Sequence, residues 1–207
     1  MKALNIPVGI SNFEKIRNNG FYYVDKTGLI EELLKTEAEV TLITRPRRFG
    51  KTLGMSMLES FFDIRKNSRK LFEGLEIARQ SELCSKWMNQ CPTVSVSFRQ
   101  VDGLNFTSAY DMLTMVFADL YNKHLYLLED SHVTEFQKKT FTNIAHGCGS
   151  EKEVKSSLVL LTTMMQQHYG KAVVLLIDEY DVPVAKANAH GYYNEMLDVM
   201  KGLLQAL

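Results

Sequence analysis

The sequence predicts an α/β fold with a parallel sheet flanked by helices. Three runs predict strands, namely Val40–Thr44, Thr93–Phe98 and Val173–Ile177. Stretches with helical spacing of apolar residues separate these runs. The third run is apolar throughout, which is typical of a strand buried on both faces of a parallel sheet. Ligands of such sheets bind beyond the carboxyl ends of the strands, so the residues after each run are the candidates for function.

The helices are predicted from periodicity and from their boundary residues. In chain order they cover about 27–36, 51–64, 107–129, 132–146, 151–169 and 190–205, with short helices and turns over 65–91. Asp25 or Thr27 is the expected cap of the first, and Gly170 ends the fifth. The helix from Lys51 has its apolar residues on one face, and they are Leu53, Met57, Leu58, Phe61 and Phe62. We expect residues 1–37 to form an N-terminal extension that packs on a core of residues 38–207.

Composition excludes several classes of protein. Among 207 residues, 24 are Lys or Arg and 24 are Asp or Glu, so the charge does not support direct nucleic-acid binding. No apolar stretch is long enough for a signal peptide or a membrane span. The three cysteines, an odd number without C-x-x-C spacing, predict reduced thiols in a cytoplasmic protein and no zinc site.

The segment after the first predicted strand resembles a phosphate-binding loop. The usual signature is G-x-x-x-x-G-K-[ST], and this chain has Gly50, Lys51 and Thr52 at the last three positions but Arg45 at the first. Amide groups at a helix start favour an anion, and Gly50 lets the backbone approach it. Lys51 is then expected to contact the phosphates, and the Thr52 hydroxyl to bind Mg²⁺. The alternative is that these residues are only a solvated helix start.

The predicted nucleotide-binding residues extend to both sides of this triplet. They are Arg47, Arg48, Phe49, Gly50, Lys51, Thr52 and Leu53. Arg47 or Arg48 is expected to contact a phosphate directly, since clustered arginines need a balancing anion. The alternative for any one arginine is an ion pair with a carboxylate elsewhere in the fold.

Two acids follow the apolar run at the second candidate edge. Asp178 is the predicted magnesium ligand, as in a Walker B element, and Glu179 is the predicted general base that activates water. Lys51 and Glu179 are thus the catalytic candidates, and Thr52 and Asp178 the metal ligands. The alternative for Asp178 and Glu179 is a plain solvated turn. Asp181 is either a supporting acid or a helix cap.

Taken together, these segments resemble the AAA-ATPase-like family of bacterial proteins, within the P-loop NTPase superfamily. The marks are Ile6–Gly9, Ser11 with Phe13, Tyr22–Thr27, Arg45–Thr52, Ser56–Leu58, Phe61–Phe62, Leu71–Leu75 and Leu176–Asp181. In that family the arginine-rich loop replaces the first glycine.

The resemblance implies a P-loop NTPase fold, incomplete here after the strand that carries Asp178, with no sensor residue or arginine finger assigned. It also implies a longer protein that often ends in a nuclease-like domain, absent from this chain. Tyr22 and Tyr23 are expected either to pack on adenine or to be half-buried strand residues.

The function expected from motifs and resemblance is ATP binding with Mg²⁺-dependent hydrolysis. ATP is preferred to GTP because no guanine-specific N-K-x-D motif is visible. The alternative is a nucleotide-dependent switch with little turnover that regulates a nuclease-like or nucleic-acid-acting partner domain.

Overall fold

The computed structural model describes residues 5–36, 38–44 and 49–205. They fall into two compact units, Met1–Thr93 and Val94–Leu207, and each is described by itself. The expected extension of residues 1–37 stays a prediction.

Unit 1 contains short helices and turns around one longer helix. Its helices are α1 (Phe13–Asn18), α2 (Gly28–Lys35), α3 (Lys51–Phe62), α4 (Arg69–Phe72) and α5 (Ser81–Trp87), with a 3-10 turn at Glu76–Arg79. The Asn12 side chain caps α1 by accepting a 2.7 Å hydrogen bond from the Lys15 amide. The predicted helices over 27–36 and 51–64 are confirmed to within two residues at each end.

Aromatic rings form the core of unit 1. The Phe13 ring lies 5.3 Å from Tyr23 and 5.0 Å from Phe72, and the Phe61 ring lies 5.4 Å from Phe72. Phe13, Phe61 and Phe72 are fully buried. The predicted apolar face of α3 is therefore confirmed in the C-terminal half of the helix, where its residues are buried. Leu53, near the start of the helix, is only half-buried.

The predicted strand Val40–Thr44 is wrong. Residues 38–44 form neither strand nor helix, and Val40 and Leu42 are 82% and 64% exposed. A strand needs a neighbour for its backbone groups, and no backbone hydrogen bond joins this segment to another described residue. The β-branched composition favours a strand, but composition alone supplies no pairing partner.

The sheet has two parallel strands within the described residues, β1 (Thr93–Ser97) and β2 (Val174–Asp178). Around them lie α6 (Phe106–Asn122), α7 (Glu135–Ala145), α8 (Glu151–Lys155), α9 (Ser157–Tyr169), α10 (Val182–His190) and α11 (Tyr193–Gln205), with a 3-10 turn at Leu125–Glu129. The α/β class and both of these predicted strands are confirmed. The finer P-loop architecture stays a prediction.

The expected burial of the last strand on both faces is corrected. Within β2, Leu176 and Asp178 are buried, whereas Val174, Leu175 and Ile177 are only half-buried. In a sheet with two described strands, β2 has only one described neighbouring strand. Its side chains are therefore less buried than those of a central strand with a neighbour on each side.

Two predicted helices are each broken into two elements, and one observed helix was not predicted. The stretch 107–129 ends as an α-helix at Asn122 and continues as the 3-10 turn, and the stretch 151–169 is interrupted at Ser156. The predicted last helix, about 190–205, corresponds to α11. Before it lies α10, which was not predicted; it ends at His190, and its C-cap Gly191 has a left-handed φ of 84°. Pro183 in the first turn is a helix-start signal that the sequence reading overlooked.

Candidate functional site

Gly50 has the backbone conformation that the phosphate-loop interpretation needs. It is the N-cap of the twelve-residue helix α3, with φ 78° and ψ 27°, in the left-handed region that favours glycine. A glycine provides no capping side chain, and the first turn of α3 contains no acidic residue. The positive end of the helix is therefore not balanced from within the helix itself, which favours an anion there.

The predicted binding residues around Gly50 are accessible. Lys51, Thr52 and Leu53 are half-buried in the first turn of α3, and Phe49 is 59% exposed. No ion pair links Lys51 to a carboxylate in the described part of the chain. Arg45, Arg47 and Arg48 lie outside the described residues, so the phosphate contact expected of Arg47 or Arg48 stays a prediction.

Asp178 is the last residue of β2 and is buried, with 9% of its surface exposed. Its carbonyl oxygen accepts a hydrogen bond from the Phe98 amide. Its carboxylate has no hydrogen bond or ion pair to any residue in 5–36, 38–44 or 49–205. Burying an ionised carboxylate is costly unless a cation or donors compensate it, so this environment fits a metal ligand better than a solvated turn.

Glu179 directly after β2 has a left-handed backbone, with φ 55°, which is uncommon for a residue with a side chain. The residue is half-buried. Such conformations cost free energy and cluster at functional sites. Asp181 is exposed and is the N-cap residue of α10, but its side chain makes no capping hydrogen bond.

The residues expected in one site therefore form two groups. Gly50, Lys51 and Thr52 are adjacent at the start of α3 in unit 1, and Asp178 and Glu179 are adjacent at the end of β2 in unit 2.

A family model described as Predicted AAA-ATPase matches residues 7–207. The chain belongs to this predicted AAA-ATPase family. The match covers both groups of candidate residues, so the expected family resemblance is confirmed.

One curated relative of this AAA-ATPase-like chain is an "Uncharacterized protein in vnfD 5'region" from Azotobacter chroococcum mcd 1. The two are 28% identical over 185 residues, which is 89% of this chain and 30% of the relative. The chain thus spans about a third of the length of that protein. No solved structure matches the chain.

In this AAA-ATPase-like chain, the two N-terminal tyrosines differ in environment. The Tyr23 ring packs on Phe13, and its hydroxyl lies 3.3 Å from the Met57 sulfur. Burial raises the pKa of Tyr23 to about 12. Tyr23 is thus half-buried, as one of the two alternatives expected, with its ring packed against the core of unit 1. Tyr22 is 51% exposed and remains accessible, and neither tyrosine lies in a strand.

Sequence reasoning missed Lys26 as a neighbour of Gly50. A Cβ built on Gly50 would lie 3.8 Å from the Lys26 Nζ, across 24 positions of sequence. The lysine lies inside the Tyr22–Thr27 family mark, but the signature G-x-x-x-x-G-K-[ST] contains no lysine so far ahead of its last glycine. Only the folded contact identifies it.

The remaining features that could indicate a function are the cysteines, metal-binding groups and membrane-spanning helices. Cys84, Cys91 and Cys148 form no disulfide bond, and they are half-buried, buried and exposed respectively. Over the described ranges, no group of three or more His, Cys, Asp or Glu side chains has a geometry that could hold a metal ion. No helix there is long and apolar enough to cross a membrane.

Proposed function

We propose that this chain binds ATP at the start of α3 and hydrolyses it with Mg²⁺. The observation that carries the proposal is the left-handed Gly50 that opens α3 immediately before Lys51 and Thr52. A side chain at that φ is strained, and a bare helix start followed by a lysine is the arrangement that binds phosphates. The family match over residues 7–207 supports the same assignment.

The residues of each unit suit the groups that they would hold. The open start of α3 offers amide groups, and the buried carboxylate of Asp178, which has no partner among the described residues, is suited to a cation. Mg²⁺ prefers oxygen ligands and keeps several waters, and the protein ligands that we propose for it are the Thr52 hydroxyl and the Asp178 carboxylate. When bound, Mg²⁺ would neutralise charge on the phosphate oxygens.

Each remaining candidate residue has one chemical task in the proposal. The Lys51 ammonium binds terminal phosphate oxygens and stabilises the charge that develops on them. Glu179 accepts a proton from the attacking water. Phe49 and Leu53 are the further nucleotide-binding residues of the proposal, together with Arg47 and Arg48, which lie outside the described residues.

Binding is tested by calorimetry of the purified chain with Mg²⁺-ATP. We expect Lys51→Ala to abolish binding or weaken it at least tenfold, because the substitution removes a charge-assisted contact. Lys70→Ala, at an exposed lysine on α4, is the matched control and should bind as the wild type does. If Lys51→Ala binds ATP with wild-type affinity, the phosphate-loop assignment is wrong.

Magnesium use and hydrolysis are tested separately. Asp178→Ala should weaken the Mg²⁺ dependence of ATP binding, and Glu179→Gln should abolish steady-state phosphate release while ATP still binds. If the wild type binds ATP but its phosphate release is negligible and unchanged in Glu179→Gln, the chain acts as a nucleotide-dependent switch. In that case we propose that the nucleotide state of the chain regulates a nuclease-like or nucleic-acid-acting partner domain.

A further inference from the structure

Lys26 is held between two residues that are anchored to a distant turn of unit 1. The Asp25 carboxylate accepts hydrogen bonds from the Thr27 amide at 2.9 Å, the Thr27 hydroxyl at 2.7 Å and the Glu76 amide at 2.7 Å. The fully buried Thr27 hydroxyl also accepts a 3.1 Å bond from the Ile77 amide. These four bonds fix the backbone on both sides of Lys26.

The Lys26 side chain takes no part in that anchoring. It is exposed, and its ammonium has no hydrogen bond or ion pair with any residue that the structure describes. Lys66 of the same unit shows the contrast, since its ammonium pairs with Glu14 at 2.7 Å and with Glu59 at 3.1 Å.

The direction of the Lys26 side chain places its charge at the phosphate loop. The ammonium lies 3.8 Å from the position that a Cβ on Gly50 would occupy. Three positive features therefore gather around Gly50, namely the N-terminal end of α3, the adjacent Lys51 and the Lys26 ammonium. Like charges repel, so such a cluster favours a polyanion close to Gly50.

We propose that Lys26 is a second phosphate-binding lysine, whose ammonium contacts the phosphate oxygens of a nucleoside di- or triphosphate held at the start of α3. The inference rests on the proposed nucleotide site and adds a residue to it. Asp25 and Thr27 are positioning residues in this scheme, because they fix the backbone from which Lys26 extends.

The decisive experiment replaces Lys26 by Met, which removes the charge and keeps an unbranched stem. We expect calorimetry to show binding of Mg²⁺-ATP weakened about tenfold or more, with Lys26→Arg restoring part of the loss. Lys70→Met should bind as the wild type does. The thermal unfolding temperature of Lys26→Met without nucleotide should be unchanged, because the side chain has no described partner.

Salt dependence separates a direct charge contact from an indirect effect. The decline of ATP affinity with rising NaCl concentration should be shallower in Lys26→Met than in the wild type, because one charge contact is missing. The role of Lys26 is wrong if Lys26→Met keeps the wild-type affinity and salt dependence while Lys51→Ala still loses binding. The proposed function would stand in that case. Absence of ATP binding to the wild type would remove both this inference and the proposed function.

Discussion

The backbone amide of Phe98 donates a 3.0 Å hydrogen bond to the carbonyl oxygen of Asp178. Phe98 is fully buried, and its ring packs edge-on against Phe117 at 6.1 Å. The main chain of Asp178 is therefore tied to the core of unit 2 independently of its carboxylate. Substitutions of that side chain should report on its charge and not on the position of the strand end.

The first prediction concerns the stability cost of that carboxylate. Asp178→Asn removes a buried charge without a described partner, so the free energy of unfolding in Mg²⁺-free buffer should rise by about 1 kcal/mol. Urea denaturation measures the change. Asp111→Asn, at an exposed position on α6, is the control and should change stability by less than about 0.5 kcal/mol. A loss of stability in Asp178→Asn would indicate a structural role.

The second prediction concerns the backbone of Glu179. At φ 55° a glycine is unstrained, whereas an alanine keeps the strain and lacks the carboxylate. Glu179→Gly should therefore be more stable than Glu179→Ala by about 1 kcal/mol in urea denaturation, although neither variant should release phosphate. Equal stability of the two variants would show that the left-handed conformation is not maintained in solution.

The third prediction concerns acid stability. The Asp130 carboxylate accepts hydrogen bonds from the His132 amide, the His168 ring and the His132 ring, and these lower its pKa to about 2. An unfolded aspartate titrates near a pKa of about 3.9. A carboxylate whose pKa is lower in the folded than in the unfolded protein stabilises the fold at pH values above the unfolded-state pKa. This contribution is lost as the pH falls toward the folded-state pKa.

Urea denaturation of the wild type and Asp130→Asn at pH 5, 3.5 and 2.5 measures this effect. The stability advantage of the wild type should be largest at pH 5 and should shrink toward pH 2.5. A difference that stays constant with pH would mean that the Asp130 charge adds no stability.

The fourth prediction concerns Asn89, whose side chain is hydrogen-bonded to the C-terminal end of α3. Asn89 has a left-handed φ of 56°, and its side chain accepts a 2.9 Å bond from the Ser68 amide and donates to the carbonyl oxygens of Ser60 and Asp63. Asn89→Gly keeps the backbone but loses these bonds, so the free energy of unfolding should fall by about 2 kcal/mol. Asn89→Ala should lose about 1 kcal/mol more, because it also strains the backbone. The reverse order of the two variants in urea denaturation would contradict this account.

Local patterns were sufficient to predict the elements whose cause is local. The apolar face of α3 follows from residue spacing, and Met57, Leu58 and Phe61 are buried as expected. The strand before Asp178 was predicted from its apolar run, and the structure places Asp178 at its end.

The features that could not be predicted from the sequence depend on residues far apart in the chain. Val40–Thr44 has strand composition, but whether a strand forms is decided by pairing. The position of Lys26 depends on the bond from the Glu76 amide to Asp25, which joins residues 51 positions apart. No pattern within Tyr22–Thr27 shows that contact. The left-handed turn at Glu179 is likewise invisible in its sequence, since glutamate rarely adopts it.

The uncovered segment around Val40 and Leu42 has a practical consequence for handling the protein. Val40–Thr44 contains neither a charge nor a proline, and no backbone hydrogen bond joins it to another residue that the structure describes. Such a stretch is a template for edge-to-edge association between copies, with cross-β aggregates as the end point. Concentrated stocks should therefore become turbid over time, and a lysine in place of Leu42 should delay it.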